Sequence, residues 1–257
     1  FNTDKDELDI TQTDEVLSFG EINRPDVIIN CAGITDMELC EKEPELAYRV
    51  NALGARNLSI VARKIGAKIV QISTDDVFDG NKNTPYSEFD DTNPKTVYGR
   101  SKRAGENYVR EFTHKHFVIR SSWIFGHGDN FVTCVLRKAE NGELIEAAID
   151  ETGCPTSAKD LARIILYLVT TNEYGTYHAT CKGLCSRYDF AREILSLAGL
   201  HAEVKEISIA DSKEHLVRPA YAVLDNFILR IIDVYEMPKW KQSLEEYIAE
   251  WKEETHE

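Results

Sequence analysis

Through the first 121 residues, short apolar runs bounded by turn residues alternate with longer amphipathic stretches. That alternation admits few folds. Residues 26–33 form one such run, preceded by Pro25 and closed by Gly33; residues 68–74 and 117–121 form the next two. Between the first two, the spacing predicts a helix over 44–65. Leu46, Val50, Leu53 and Leu58 lie near one face, Pro44 sits in its first turn and Gly66 just past its end. A second helix is predicted over 98–112. Strand, helix, strand, helix, strand predicts an α/β fold, a Rossmann-like doubly wound parallel sheet. Ligands in such sheets sit at the carboxyl ends of the strands. Those ends are residues 31–33, Thr74 and residues 121–123, three neighbours on one predicted crevice.

After residue 125 the pattern loosens. Helices are predicted over 158–171 and 188–198, and a strand over 175–180. A closing helix over 242–252 carries Leu244, Tyr247, Ile248 and Trp251 on one face. This predicts a small α/β substrate lobe interleaved with the main domain. The dinucleotide-binding domain is expected over 1–145 plus parts of 155–180, and the substrate lobe mainly over 146–257.

The net charge is −14. An acidic surface repels phosphate backbones and anionic lipid heads, which sets nucleic acid and membrane aside as partners. An anionic small ligand would need a local positive or backbone-amide site. Hydrophobic residues make up 42% of the chain, enough for a sizeable core. No run reaches transmembrane length, and the polar, acidic opening is unlike a secretory signal. Cys31, Cys40, Cys134, Cys154, Cys181 and Cys185 make no Cys-x-x-Cys pair, so reduced thiols in a cytoplasmic protein are expected. His178, Cys181 and Cys185 lie close in sequence, but no fourth ligand accompanies them, and no metal ligand is assigned.

Tyr98-Gly99-Arg100-Ser101-Lys102 has the spacing Tyr-x-x-x-Lys near a predicted helix start, and residues four apart share a face. A lysine ammonium beside a phenol is expected to pull the tyrosine pKa below its ordinary value of about 10. Such a tyrosine can pass a proton to a ketone oxygen. Thr74, ending the preceding strand, can hydrogen-bond the same oxygen and stabilise its growing charge. The bare spacing is common and is usually surface decoration. Its place after a strand ending in Ser73-Thr74 and an acidic loop gives it weight.

Longer segments add to this: Asn30-Cys31-Ala32-Gly33, residues 47–52, Ser73-Thr74-Asp75-Asp76 through Gly80, and residues 98–106. Residues 119–123, Asn130-Phe131, Gly153-Cys154-Pro155-Thr156, Arg218-Pro219 and Trp240 with Leu244 continue the series. On these segments almost the whole chain resembles the extended short-chain dehydrogenases/reductases, and within them the dTDP-4-dehydrorhamnose reductase family. The resemblance implies reduction of the 4-keto group of dTDP-4-dehydro-L-rhamnose to dTDP-L-rhamnose, with NADPH or NADH as cofactor. It implies that Thr74, Tyr98 and Lys102 are catalytic, and that Lys102 also holds the nicotinamide ribose. It further implies that Asp9 and Ile10 contact the adenine and that Cys31, Ala32 and Gly33 line the cofactor's phosphate and ribose. Asp75, Trp123, Asn130 and Arg218 join Thr74 on the substrate side. The bland readings of the last three are a core tryptophan, a helix cap and a surface salt bridge. Part of the family forms a magnesium-bridged dimer, so a homodimer and magnesium are implied without assignable ligands.

The sequence departs from that family in four places. The family opens with a strand and a Gly-x-x-Gly-x-x-Gly turn that binds the pyrophosphate, and this sequence has no such turn. Relative to the family, roughly one strand-turn-helix unit is lacking. The first strand is therefore expected to be missing, residues 3–4 to end the second, and cofactor binding by the chain as written to be weak. Asp4 at that strand end would accept the adenosine ribose hydroxyls and favour NADH. Asp76 replaces a tyrosine and leans toward nucleotide-sugar 4,6-dehydratases. Glu151 stands where glutamine is common, and Gly33 where alanine is. Two alternatives follow from the same fold. One is a non-catalytic regulatory subunit like the beta subunit of methionine adenosyltransferase; the other is a related 4,6-dehydratase or epimerase.

Overall fold

The computed structural model describes residues 1–211, 218–232 and 236–256. They form two compact units. The first comprises Phe1–Asp79, Asp91–Arg120 and Ile165–Tyr177; the second comprises Gly80–Asp90, Ser121–Ile164 and the chain from His178 onward.

The first unit is built on a sheet ordered Val27–Asn30, Lys68–Thr74, His116–Ser121, Gly175–His178. The first two strands pair in parallel, with Ile28 opposite Ile69 and Asn30 opposite Gln71. Ile69, Val70, Phe117, Val118 and Ile119 are buried, as the apolar runs require. Asn30 and Gln71 are buried too and satisfy each other, Asn30 Nδ2 donating to Gln71 Oε1 at 2.7 Å. Helices Thr13–Asn23, Ala55–Ile65 and Val97–Phe112 flank the sheet. Val16, Leu58, Val61, Ala62 and Val109 pack with Ile69 and Val118 in one core.

Local structure refines the predicted elements. The helix expected over 44–65 is three segments, Pro44–Tyr48, a π-helical stretch Arg49–Gly54, and Ala55–Ile65, closed by Gly66 at a φ of 77°. Residues 1–4 form no strand. The Asp4 carboxylate instead accepts the Asp6 and Glu7 amides at 2.8 and 3.2 Å, closing an exposed turn. The preference for NADH argued from Asp4 therefore loses its premise.

The second unit contains three two-stranded pairs and the helices Phe131–Glu140, Arg187–Ala198 and Trp240–His256. The chain leaves the first unit at Asp79–Gly80, returns at Asp90–Asp91 and leaves it again at Arg120–Ser121. Helix Phe131–Glu140 packs on Arg187–Ala198 with the Phe131 and Phe190 rings stacked 5.5 Å apart. All six cysteines are free thiols. His178 Nδ1 faces the Tyr86 and Asp225 carbonyls at 3.0 and 3.2 Å. Among the described residues, no helix is long and apolar enough to cross a membrane.

Candidate active site

Strand Lys68–Thr74 delivers Thr74 at its carboxyl end. Extended backbone at Thr74 followed by the 3-10 turn Asp75–Val77 makes it an N-cap. Its oxygen accepts the Asp76 amide at 3.1 Å, and its hydroxyl donates to Asp75 Oδ1 at 3.0 Å. Helix Val97–Phe112 starts the same way, with Thr96 Oγ1 accepting the Gly99 amide at 3.0 Å. This start places Tyr98 in the first turn and Lys102 one turn on. The Tyr98 phenol lies beside Thr74, whose hydroxyl favours its ionised form. The sheet and helix thus bring together the two hydroxyls that the sequence singled out. Gly99 permits the approach, because a Cβ there would lie 2.2 Å from the Asp76 carbonyl oxygen.

The Tyr98 phenol departs from the expectation. Its pKa is raised, first by burial and then by Asp76, with Asp75 adding and the Thr74 hydroxyl pulling the other way. Counting Lys102 alone overlooked desolvation and the two carboxylates in the adjoining turn. The result is a neutral phenol, the form that donates a proton. Lys102 is 5% exposed. Burial lowers its pKa to about 8, opposed by Glu106 and Cys31. At neutral pH it is still mainly an ammonium.

The loop after strand Val27–Asn30 lies against this lysine. A Cβ at Gly33 would stand 3.5 Å from Lys102 Nζ and 3.0 Å from Asn51 Oδ1. Alanine there needs only a small shift, so the departure at Gly33 is mild. Burial raises the Cys31 thiol pKa, and Lys102 pulls it back. A buried ammonium beside exposed, small-residue backbone suits the ribose hydroxyls of a nicotinamide cofactor.

Asn51 is a site residue that sequence reasoning did not single out. Its amide accepts from Ile34 N at 2.8 Å and donates to Ile34 O at 3.0 Å and Ser101 Oγ at 2.9 Å. It therefore ties the Gly33 loop to the helix of Tyr98 and Lys102. It lies in the π-helical stretch, a feature that often marks functional positions. The available signal was an asparagine inside an amphipathic helix, where that residue competes with the backbone.

Asp9 and Ile10 are fixed elsewhere in the unit. Asp9 accepts the Thr11 amide at 2.9 Å, which holds its carboxyl below the usual range. Ile10 fills the space left by Gly54, and Asn57 Nδ2 donates to its carbonyl at 3.0 Å.

In the second unit, Trp123 is half-buried and carries a φ of 45°. Left-handed backbone at a bulky residue costs about 1–3 kcal/mol and persists where the surroundings impose it. The indole packs against Gly153 of the Gly-x-Pro-Thr segment, where a Cβ would lie 2.4 Å from it. Asn130 is the N-cap of helix Phe131–Glu140. It accepts from Val132 N at 2.9 Å and Thr133 N at 3.3 Å, and donates to the Gly126 and Gly128 carbonyls at 2.7 and 2.9 Å. Both of its amide hydrogens are committed to that cap. Arg218 is half-buried, and Pro219 packs against Gly80, whose added Cβ would meet it at 2.7 Å. Among the described residues, no group of three or more His, Cys, Asp or Glu side chains is placed to hold a metal ion. No described ligand set supports magnesium.

Comparison with known proteins agrees with this geometry. The model of the RmlD substrate binding domain matches residues 1–253. The spore coat polysaccharide biosynthesis protein SpsK of Bacillus subtilis is 38% identical over 235 residues, covering 91% of this chain and 82% of that protein. The crystal structure of a dTDP-4-dehydrorhamnose reductase from Clostridium acetobutylicum is 41% identical with a TM-score of 0.96, covering 98% of this chain and 90% of that one. The Bacillus anthracis dTDP-4-dehydrorhamnose reductase, solved in complex with NADP, is 39% identical with a TM-score of 0.95, covering 97% and 89%. The chain belongs to the RmlD substrate-binding domain family, with the Rossmann-like α/β fold its residue pattern requires.

Proposed function

We propose that this protein is an NAD(P)H-dependent reductase that converts the 4-keto group of dTDP-4-dehydro-L-rhamnose to the alcohol, giving dTDP-L-rhamnose. The observation that carries the reading is Thr74 beside the Tyr98 phenol, with buried Lys102 one turn along the same helix. The names of the similar reductases, and the NADP in the Bacillus anthracis structure, support the substrate and cofactor classes.

When bound, a reduced nicotinamide supplies the hydride that reaches the carbonyl carbon. The Thr74 and Tyr98 hydroxyls hydrogen-bond the carbonyl oxygen, and Tyr98 delivers its proton as negative charge builds there. Lys102, one turn away, stabilises the phenolate until it is reprotonated. Lys102 also binds the ribose hydroxyls, and Cys31, Ala32 and Gly33 let the backbone approach the cofactor. Asp9 and Ile10 serve the adenine side. Asp75 orients Thr74 through their 3.0 Å bond. Trp123 and Arg218 contact the sugar nucleotide, and Asn130 contributes by fixing its helix.

The test mixes the full chain with NADPH or NADH and the keto-sugar nucleotide. Stoichiometric cofactor oxidation with dTDP-L-rhamnose as product is expected. Asp76 keeps a dehydratase or epimerase within the test, since its carboxylate stands 3.4 Å from Thr74 Oγ1. That reading gives an altered sugar with no net cofactor oxidation. Cofactor binding without turnover would point to a regulatory subunit, whereas absence of cofactor binding would follow from the lack of a Gly-x-x-Gly-x-x-Gly turn in this sequence.

A further inference from the structure

Helix Val97–Phe112 carries a second buried charge that proton delivery, as described, does not use. Glu106 is fully buried, four residues after Lys102 and so on the same face. Four side chains converge on its carboxylate. Ser73 Oγ donates to Oε1 at 2.6 Å. Arg120, 3% exposed, reaches it bidentately, Nε to Oε1 at 2.9 Å and a terminal nitrogen to Oε2 at 2.8 Å. Arg110 and Arg103 approach Oε2 at 3.2 and 3.4 Å. Burying such a group is costly, and apolar packing of the same volume is often as stable. Its position therefore calls for a role other than stability.

That position ties Glu106 to both strand and helix of the proton-delivery unit. Ser73 directly precedes Thr74, so Glu106 grips the strand beside the hydroxyl that would meet the substrate. Lys102 lies one turn back on the helix that carries Glu106. Among the charges acting on Lys102, Glu106 is the largest that favours the ammonium, ahead of Cys31.

We propose that Glu106 is a positioning residue for proton delivery, fixing Thr74 relative to Lys102 through Ser73 and supplying the counter-charge that keeps buried Lys102 an ammonium. This rests on the reading of Thr74, Tyr98 and Lys102 as the proton-delivery unit. The charged and titratable groups facing that unit come from every element around it. They are Cys31 from the loop after the first strand, Cys40 from helix Met37–Lys42, and Asp75 and Asp76 from the turn after Thr74. Glu106 itself is faced by Arg103 and Arg110 of the same helix and by Arg120 of strand His116–Ser121. Removing the Glu106 charge takes away the largest interaction that favours the Lys102 ammonium and leaves its burial cost unopposed on that side.

The test has two readouts on the full chain. One is the Lys102 titration midpoint, from carbon NMR of isotope-labelled lysine without cofactor, with the signal identified by its loss in Lys102→Met. The other is kcat and KM for keto-sugar reduction. Glu106→Gln lowers the Lys102 midpoint by about one pH unit or more. It also lowers kcat at the alkaline end, with KM little changed. Ser73→Ala keeps every charge, so the midpoint stays in place while kcat falls about tenfold through misplacement of Thr74. An unchanged midpoint in folded Glu106→Gln overturns the proposal, and so does wild-type kcat in Ser73→Ala. The serine variant leaves the arginine cluster intact and decides the matter should Glu106→Gln not fold. Full turnover by Tyr98→Phe would sink the proton-delivery reading instead, a result distinct from either.

Discussion

The Arg187 guanidinium lies 3.6 Å from the centre of the Trp123 ring, and Glu151 holds it there. Arg187 Nε donates to Glu151 Oε1 at 3.1 Å, and the Arg187 amide donates to the Glu151 carbonyl at 3.2 Å. Both side chains are largely buried, 14% and 12% exposed, so this pair is screened less than a surface one. The carboxylate at 151, where the resembled family commonly has glutamine, thus has a physical partner. It supplies the counter-ion for a cation stacked on the indole.

Removing that cation should loosen Trp123. Arg187→Ala is expected to destabilise the fold by about 1–2 kcal/mol, the range of a partly desolvated cation–π contact with its ion pair. If Trp123 contacts the sugar nucleotide, KM rises severalfold while kcat holds. Urea denaturation and steady-state kinetics check both. Unchanged stability would show that the stack contributes nothing.

Tyr98→Phe removes the proton donor and keeps the ring. The expected loss in kcat is about 10²–10⁴-fold, the usual contribution of a positioned general acid. Stability should change by about 1 kcal/mol or less, since only one polar group facing Thr74 is lost. Single-turnover measurement with saturating cofactor isolates the chemical step. A variant within tenfold of wild type would remove Tyr98 from the mechanism.

Lys102 links activity to stability through pH. Its folded value of about 8 lies below the ordinary 10.5 because burial disfavours the charge. Between those values the unfolded chain keeps the proton and the folded chain has released it. Stability contributed by this group therefore rises with pH across that window. Below about 8 both states are charged and the full burial cost is present. Lys102→Met should accordingly stabilise the protein at neutral pH, by on the order of 2 kcal/mol, while abolishing turnover. The gain should shrink as pH approaches 10.5. Urea melts at neutral and alkaline pH test this, and a gain constant with pH would refute it. Wild-type activity should fall as pH rises through about 8.

The parts legible in sequence were those set by local pattern. Ile69, Val70, Val118 and Ile119 mark strands because a parallel sheet covered on both faces needs continuous apolar runs. Tyr98 and Lys102 could be paired because helix periodicity fixes their relation, and Gly66 ends its helix where a left-handed residue was expected. Helix Thr13–Asn23 went unread because only Val16 and Gly20 are buried along it, too few to give a period. The Glu106 network was invisible for another reason. Ser73 and Arg120 lie 33 and 14 residues away in the chain, and no local pattern encodes that meeting. The Tyr98 shift was misjudged in direction because burial, and after it Asp76 and Asp75, raise it across a close approach that only the folded backbone reveals.

That approach makes Gly99 the last residue to test. It lies between Tyr98 and Lys102 in a helix, where alanine would ordinarily stabilise by about 1 kcal/mol. Here a Cβ would stand 2.2 Å from the Asp76 carbonyl oxygen and 3.0 Å from Pro94 Cβ. The nearest atom belongs to backbone and cannot swing aside as a side-chain end could. Either the turn Asp75–Val77 or the first turn of helix Val97–Phe112 must move. Overpacking of this kind costs about 1–3 kcal/mol, outweighing the helix propensity gain. Because the turn begins at Thr74 and the helix carries Tyr98, the shift separates the two hydroxyls. Gly99→Ala is therefore expected to lower both the denaturation midpoint and kcat. Gly142→Ala serves as the control, since a Cβ there meets nothing within 4 Å, although its φ of 67° strains any side chain. The control should lose stability alone. Equal kcat in the two variants would mean that contact between the acidic turn and the Tyr98 helix does not set the chemistry.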